Sequence, residues 1–217
     1  MRNVTQPARA GISLLALLVA AATLGGCGGN PAAPVDPSVL PSMDLMLAEK
    51  SLGSATAVNT ITELSSFTCP HCADFYVSTF PQLKLDYIDK SLVRFVFVNS
   101  PRDQGPDLNT SLDLAASMLA RCAGDRYFDA VAAIFASQGS WYGASDTQPL
   151  ESVMRQFGMS QPVIDACKAS TTLRDGILRM KQDALQQYNY QYVPTFIVNG
   201  TQLVGDQPLP VIVALFH

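Results

Sequence analysis

A pair of cysteines at the junction of a strand and a helix constrains this chain more than any other feature. The segment from Thr60 to Phe67 is rich in β-forming residues, and Cys69 and Cys72 follow it in the stretch FTCPHCADF. Pro70 is favoured at the first position of a helix, because its missing N–H would have no partner there. The sequence therefore predicts a strand that ends at Phe67 and a helix that begins near Pro70, with Cys69 at the N-cap.

Two cysteines at this spacing can form a metal site, a permanent disulfide or a redox pair. A structural zinc site needs further ligands at matching spacing, but there is no second Cys-x-x-Cys and the only histidines are His71 and His217. We therefore predict no metal, and no other cofactor. A permanent disulfide fits poorly with an N-cap cysteine, because free N–H groups and the helix dipole face its sulfur. The position favours a redox pair.

The two cysteines are expected to differ in reactivity. Cys69 at the helix start should be exposed, and its pKa should be lowered because the helix end stabilises a thiolate. Cys72 lies one turn further on, so it should be less accessible and should resolve a mixed disulfide. The imidazole of His71 lies between them in sequence and, when charged, would favour a thiolate nearby. The alternative is an exposed histidine at a helix start without a role.

The other elements follow from hydrophobic periodicity. A short helix is predicted from Met43 to Leu52, ended by Gly53, and Pro81 should kink the helix after the cysteines. Leu92–Val98 should be a second strand, giving a βαβ unit with parallel strands. Helices are predicted over 108–123, 127–137, 150–157, 163–170, 173–188 and 209–216, and strands over 194–198 and 202–204 flank the hairpin dipeptide Asn199-Gly200. About 80 helical residues therefore lie between strands, which predicts a helical subdomain set into an α/β core.

The N-terminus has the pattern of a secretory signal. Arg2 and Arg9 precede an apolar run of 13 residues, 12–24, which is too short to cross a bilayer as a helix. Leu24-Gly-Gly-Cys27 resembles a bacterial lipobox, which implies cleavage before Cys27 and lipid attachment to it. The alternative is an ordinary signal peptide in which Cys27 is incidental. We predict a signal peptide over 1–26 and a tether over 27–42.

Export to an oxidising compartment bears on the remaining cysteines. The chain has five, and assigning Cys27 to a lipid leaves four, which can form two pairs. Cys122 and Cys167 lie in separate predicted helices without a proline or histidine neighbour, so we expect a structural disulfide between them. Two buried free thiols are the alternative.

The charge of the chain argues against nucleic acid as a partner. Its formal net charge is −4, and loss of Arg2 and Arg9 with the signal would make it −6. No basic patch stands out in the sequence.

The motif Cys69-Pro70-His71-Cys72 after a strand resembles the DsbA family of thiol oxidases in the thioredoxin superfamily. Tyr192-Val-Pro-Thr-Phe196 resembles the second signature of that superfamily, in which a cis-proline starts a strand beside the cysteines. The resemblance implies a thioredoxin fold with a helical insertion, divided as 43–105, 106–190 and 191–217. A trans proline that only starts a strand is the alternative for Pro194.

The resemblance also implies residue roles and partners. Val193 and Pro194 would bind the substrate backbone, and Glu63 would be a buried acid that relays a proton to or from Cys72. A glutamate exposed at a strand edge is the alternative for Glu63. The expected function is donation of disulfides to reduced exported proteins in the periplasm or cell envelope, by a lipid-anchored monomer that a DsbB-like, quinone-linked membrane oxidase reoxidises.

Two other functions stay open from the sequence. A disulfide isomerase or reductase would use the same residues, although only about thirty residues separate Cys27 from the first strand, too few for a dimerisation domain. A lipoprotein that binds partners through a thioredoxin-like groove without catalysis is the third possibility.

Overall fold

A mixed five-stranded sheet with the order β1-β3-β2-β4-β5 organises the fold. The computed structural model describes residues 39–102 and 111–217, so the predicted signal peptide, Cys27 and most of the tether lie outside the described residues. The strands are β1 (Lys50–Leu52), β2 (Asn59–Ser65), β3 (Val93–Asn99), β4 (Thr195–Val198) and β5 (Thr201–Val204).

The predicted βαβ unit is confirmed by the pairing of the two central strands. Strand β2 runs parallel to β3, with Asn59 opposite Val93 and Ser65 opposite Asn99. Both strands are buried over most of their length, as expected of near-continuous apolar strands in the middle of a sheet. The chain leaves β2 at the edge where the cysteine pair begins.

The prediction of one helix over 43–52 is wrong in its second half. Helix α1 covers only Met43–Leu47, and Lys50–Leu52 forms β1, which pairs antiparallel with β3. The backbone of Ala48 is already extended, with ψ of 153°. A five-residue helix is marginal by itself, and pairing with the free edge of β3 satisfies the backbone polar groups that a longer helix would have satisfied internally.

The helical segment after the cysteines is not a regular α-helix. It begins with α2 (Pro70–Asp74), widens to a π-helical turn at Phe75–Thr79, continues as α3 (Phe80–Leu83) and widens again at Lys84–Ile88. The first π turn ends two residues before Pro81, which lacks an N–H for the regular ladder. An irregularity was predicted at this proline, and the structure resolves it as a π turn.

Six α-helices are described between β3 and β4, all within residues 111–194. They are α4 (Leu112–Cys122), α5 (Tyr127–Ala136), α6 (Gln138–Trp141), α7 (Gln148–Phe157), α8 (Gln161–Ala169) and α9 (Thr171–Tyr188). Every predicted helix of this region has a counterpart, while α6 was not predicted. Gly158 ends α7 in the left-handed conformation with φ of 105°, which glycine adopts readily at a helix C-terminus.

The C-terminal hairpin agrees with its dipeptide signal. Asn199 and Gly200 both have positive φ, 47° and 86°, and connect β4 to β5 in the tight turn that this dipeptide favours. Helix α10 follows as Leu209–Val213, three residues shorter than predicted. Within 39–102 and 111–217, no helix has both the length and the hydropathy needed to cross a bilayer.

A disulfide joins two helices of the region between β3 and β4. Cys122 at the end of α4 and Cys167 in α8 are bonded, and both are buried. The bridge closes a loop of 45 residues. Around it, α4 is buried along its whole length, so the bond links the central helix of the region to an outer one.

Candidate redox site

The cysteine pair lies at the junction between the end of β2 and the start of α2. The N-cap is Cys69, with extended dihedral angles of −87° and 118°, and Pro70 takes the first helical position. Both cysteines are free thiols in the structure. This local geometry follows from the sequence alone, because a proline at the first helical position fixes where the helix begins.

Cys69 is not exposed as the sequence predicted. Its residue is 2% exposed, and its thiol donates a hydrogen bond to the carbonyl oxygen of Val193, with Sγ and O 3.3 Å apart. The 191–193 segment, far away in the sequence, covers the helix start. The sulfur therefore lies at the bottom of a cleft of about 540 Å³ instead of on the surface.

The two thiols have opposite electrostatic surroundings. A hydrogen bond from the Cys72 thiol is the largest influence on Cys69, and together with the backbone N–H groups of Cys72 and His71 and the charge of Arg102 it lowers the pKa of Cys69 to about 6, against the effect of burial. Burial raises the pKa of Cys72 well above its ordinary value. These opposite shifts favour a thiolate at Cys69 and a neutral thiol at Cys72.

The imidazole of His71 does not lie between the sulfurs. Its side chain is 73% exposed, and Nδ1 lies 3.9 Å from the nearer carboxylate oxygen of Asp74. The influence of His71 on Cys69 comes from its backbone N–H. That interaction depends on the helix start and not on the identity of the side chain, since every residue except proline has this donor.

The bond between Val193 and Pro194 is cis, as predicted. Pro194 immediately precedes β4, and its carbonyl accepts a hydrogen bond of 2.8 Å from the Gly205 N–H. Val193 is partly buried and holds its carbonyl against Cys69, while Tyr192 beside it is 66% exposed. A backbone segment next to the reactive sulfur is therefore open at one side.

Glu63 is fully buried in β2, so the alternative of an exposed strand-edge glutamate is wrong. Burial raises the pKa of Glu63 to about 8, the nearby Ser65 side chain acts in the opposite direction, and the charge of Cys69 adds a smaller rise. Both carboxyl oxygens lack a hydrogen bond of good geometry to any described residue, and so does the hydroxyl of Ser65. The carboxyl is close enough to raise the pKa of Cys72 as well.

Sequence reasoning missed two residues that hold the cysteine loop. Asp113 near the start of α4 accepts hydrogen bonds from the Ser66 hydroxyl at 2.5 Å and the Phe67 N–H at 2.8 Å. Gln138 in α6 donates to the carbonyls of Phe67 and Cys69, at 2.7 and 3.1 Å. No local pattern indicates these roles, because the bonds join residues at least 46 positions apart.

The described residues contain no group of three or more histidine, cysteine or acidic side chains placed to hold a metal ion. The site consists of a thiol at a helix start, a second, buried thiol, a buried acid and a strand that follows a cis-proline. Fold and site together define a thioredoxin-like protein with a paired-cysteine centre.

Comparison with known proteins supports that class. A thioredoxin family model matches residues 47–211. A protein of Rickettsia typhi named as a protein-disulfide oxidoreductase is 28% identical over 154 residues, which cover 70% of this chain and 54% of the relative. The chain therefore spans about half the length of the curated relatives it matches. The disulfide bond formation protein D of Bacillus subtilis is 35% identical over 71 residues, 33% of this chain and 29% of that protein.

Solved structures agree in fold. The crystal structure of α-DsbA1 from Wolbachia pipientis matches with a TM-score of 0.70 and 26% identity, over 82% of this chain and 91% of that one. BdbD from Bacillus subtilis matches with a TM-score of 0.63 and 23% identity, over 82% and 94% of the two chains. The chain belongs to the DsbA family of the thioredoxin superfamily. The predicted fold class, a thioredoxin fold with a helical insertion, is confirmed.

Proposed function

We propose that the protein is a thiol:disulfide oxidoreductase that donates the Cys69–Cys72 disulfide to reduced exported proteins. The observation that carries the proposal is the opposite shift of two neighbouring thiols, with the pKa of Cys69 lowered to about 6 and that of Cys72 raised. Stabilising the Cys69 thiolate stabilises the reduced pair, which makes the disulfide form a stronger oxidant. Relatives and neighbours named for disulfide exchange support the same chemistry.

The reaction has two exchange steps. A substrate thiolate attacks the Cys69 sulfur of the disulfide, so that a substrate–Cys69 bond forms and the Cys69–Cys72 bond breaks, with the electron pair leaving on Cys72. A second substrate thiolate then attacks the substrate sulfur of the mixed disulfide and releases Cys69 as a thiolate. Two electrons pass from the substrate dithiol to the cysteine pair. Because its pKa is lowered, Cys69 is a good leaving group in this second step.

Glu63 is proposed as the proton relay for Cys72. Cys72 leaves the disulfide as an anion in a buried place that disfavours charge, so it must take up a proton. With its pKa raised to about 8, Glu63 is protonated at neutral pH and can supply it. Reoxidation of the pair runs the transfer in the opposite direction.

The segment at Val193 and Pro194 is proposed to hold the substrate backbone. Its position beside Cys69, with Tyr192 exposed, supports pairing of an extended substrate strand with this edge. His71 stays a candidate for tuning through its side chain, although its exposed imidazole gives this role little support.

The cellular setting is proposed from the N-terminal sequence. The pattern of residues 1–27 supports export to the periplasm or cell envelope and a lipid anchor on Cys27. A reoxidising partner is needed to close the cycle, and we propose a DsbB-like, quinone-linked membrane oxidase. We propose that the protein acts as a monomer.

The proposed function is tested by oxidation of a reduced, unfolded substrate that contains two cysteines. The oxidised protein should introduce the disulfide stoichiometrically. Cys72→Ser mixed with the disulfide-bonded form of the substrate should form a mixed disulfide through Cys69, with the other substrate sulfur released as a thiolate. A redox potential near that of thioredoxin in glutathione buffers would contradict a disulfide donor.

The other two functions give different results in related assays. A disulfide isomerase would act on scrambled substrate faster than on reduced substrate. A non-catalytic binding protein would keep its function in Cys69→Ala, which removes all exchange from an oxidoreductase.

A further inference from the structure

The cleft beside Cys69 carries basic side chains although the chain as a whole is acidic. His71, Arg102 and Lys181 line it, and no described residue that lines it carries a carboxylate. The formal net charge of the chain is −4. Such a local reversal of charge in a cleft concentrates ligands of the opposite sign.

Arg102 is held in this cleft by its backbone. Its N–H donates to a carboxylate oxygen of Asp113 at 2.8 Å, and that carboxylate also binds Ser66, Phe67 and Thr68 of the loop that leads to Cys69. Lys181 of α9 donates to the carbonyl of the preceding residue, Pro101, at 2.6 Å. The 101–102 segment is therefore held from both sides, and Asp113 links it to the cysteine loop.

The guanidinium of Arg102 is not paired with an acidic side chain of any described residue. Its hydrogen bond to Asp113 is made by the backbone N–H, and the side chain forms no ion pair with any described residue. Arg102 and Cys69 line the same cleft, and the charge of Arg102 contributes to lowering the pKa of Cys69. A planar guanidinium at that place is suited to bind a carboxylate with two hydrogen bonds.

We propose that Arg102 is a specificity-determining residue that makes the cleft prefer substrate segments with an acidic side chain next to the cysteine. The inference rests on the proposed function, because it concerns the same cleft. A substrate strand that pairs with Val193 passes along the cleft, so side chains near its cysteine come within reach of Arg102. An exposed ion pair of this kind contributes modestly and weakens with salt.

The test compares three reduced dicysteine peptides that differ only in the residue beside the first cysteine, which is Glu, Gln or Lys. We expect the oxidised wild-type protein to react with the Glu peptide roughly threefold to fivefold faster than with the Lys peptide in kcat/KM at low salt. Arg102→Ala should bring the ratio close to one, Arg102→Lys should retain only part of it because an ammonium group cannot make the paired hydrogen bonds, and Arg102→Glu should reverse it.

Arg155→Ala in α7 is the matched control, since it removes the same charge outside the cleft and should keep the wild-type ratio. A wild-type protein that oxidises all three peptides equally would overturn the inference and leave the proposed function intact. So would a preference that survives in Arg102→Glu. A wild-type protein that oxidises none of the peptides would instead refute the proposed function.

Discussion

The chain contains two cysteine pairs, and their surroundings differ in every respect that decides disulfide chemistry. Cys69 and Cys72 lie at a helix start, under a cleft, with opposite pKa shifts. Cys122 and Cys167 lie inside a packed set of helices and are bonded. The Cys69–Cys72 pair is therefore suited to thiol–disulfide exchange, and the Cys122–Cys167 pair is suited to a structural disulfide. The reason is that a reactive thiolate needs stabilising donors and access for its partner.

Loop length adds to the difference. Closing a loop of 45 residues removes much conformational entropy from the unfolded chain, while closing the four-residue loop from Cys69 to Cys72 removes little. The Cys122–Cys167 disulfide should therefore stabilise the fold. The stability of the Cys69–Cys72 disulfide should depend mainly on local electrostatics.

The largest expected effect is on activity. Cys69→Ser should reduce substrate oxidation to the rate of buffer alone, because no attacked sulfur remains. Stopped-flow or end-point thiol assays on a reduced substrate would measure it. Residual turnover in this variant would mean that the Cys122–Cys167 pair takes part in exchange and would remove the distinction between the two pairs.

Removing the other pair should affect stability instead. Cys122→Ala with Cys167→Ala should lower the free energy of unfolding by about 4 kcal/mol on the chain-entropy estimate. Denaturant titration of oxidised protein measures this, and substrate oxidation should stay within the wild-type range. A large loss of activity in a variant that is still folded would contradict a purely structural role.

Glu63→Gln should stabilise the protein and impair exchange. A carboxyl whose pKa is raised to about 8 loses stability as pH rises from its ordinary value of 4.5 towards 8, so the gain from Gln should be roughly 3 kcal/mol at pH 7 and vanish near pH 4. Chemical denaturation at the two pH values tests this. Equal stability of the wild-type protein and Glu63→Gln at pH 7 would show that burial does not raise the pKa of the Glu63 carboxyl.

The lowered pKa of Cys69 gives a smaller, pH-dependent effect. A folded-state pKa of about 6 against an ordinary 9.0 contributes stability that is complete above pH 9 and lost as pH falls through 6, roughly 1 kcal/mol at pH 7. Reduced wild-type protein and reduced Cys69→Ser should therefore diverge in stability as pH rises from 6. Thiolate absorbance near 240 nm should show a single titration below pH 9, since the pKa of Cys72 is raised.

The sequence by itself determined the elements whose signals are local. Pro70 fixed the start of α2, Asn199 and Gly200 fixed the hairpin, and apolar periodicity located the two parallel strands. Each of these signals acts within about one turn of chain, where capping, turn geometry and side-chain alternation dominate. These local signals could not predict that the 43–52 segment divides into α1 and β1, because pairing with the distant strand β3 decides the division.

Only the tertiary structure decided how reactive the site is. Cys69 is covered by Val193, 124 positions away, and Asp113 holds Arg102 near the cysteine loop from a helix that periodicity locates but cannot orient. Burial of Glu63 likewise depends on strands on either side of β2. Desolvation and charge act through space, so the pKa of each group is set by neighbours that the order of residues does not reveal.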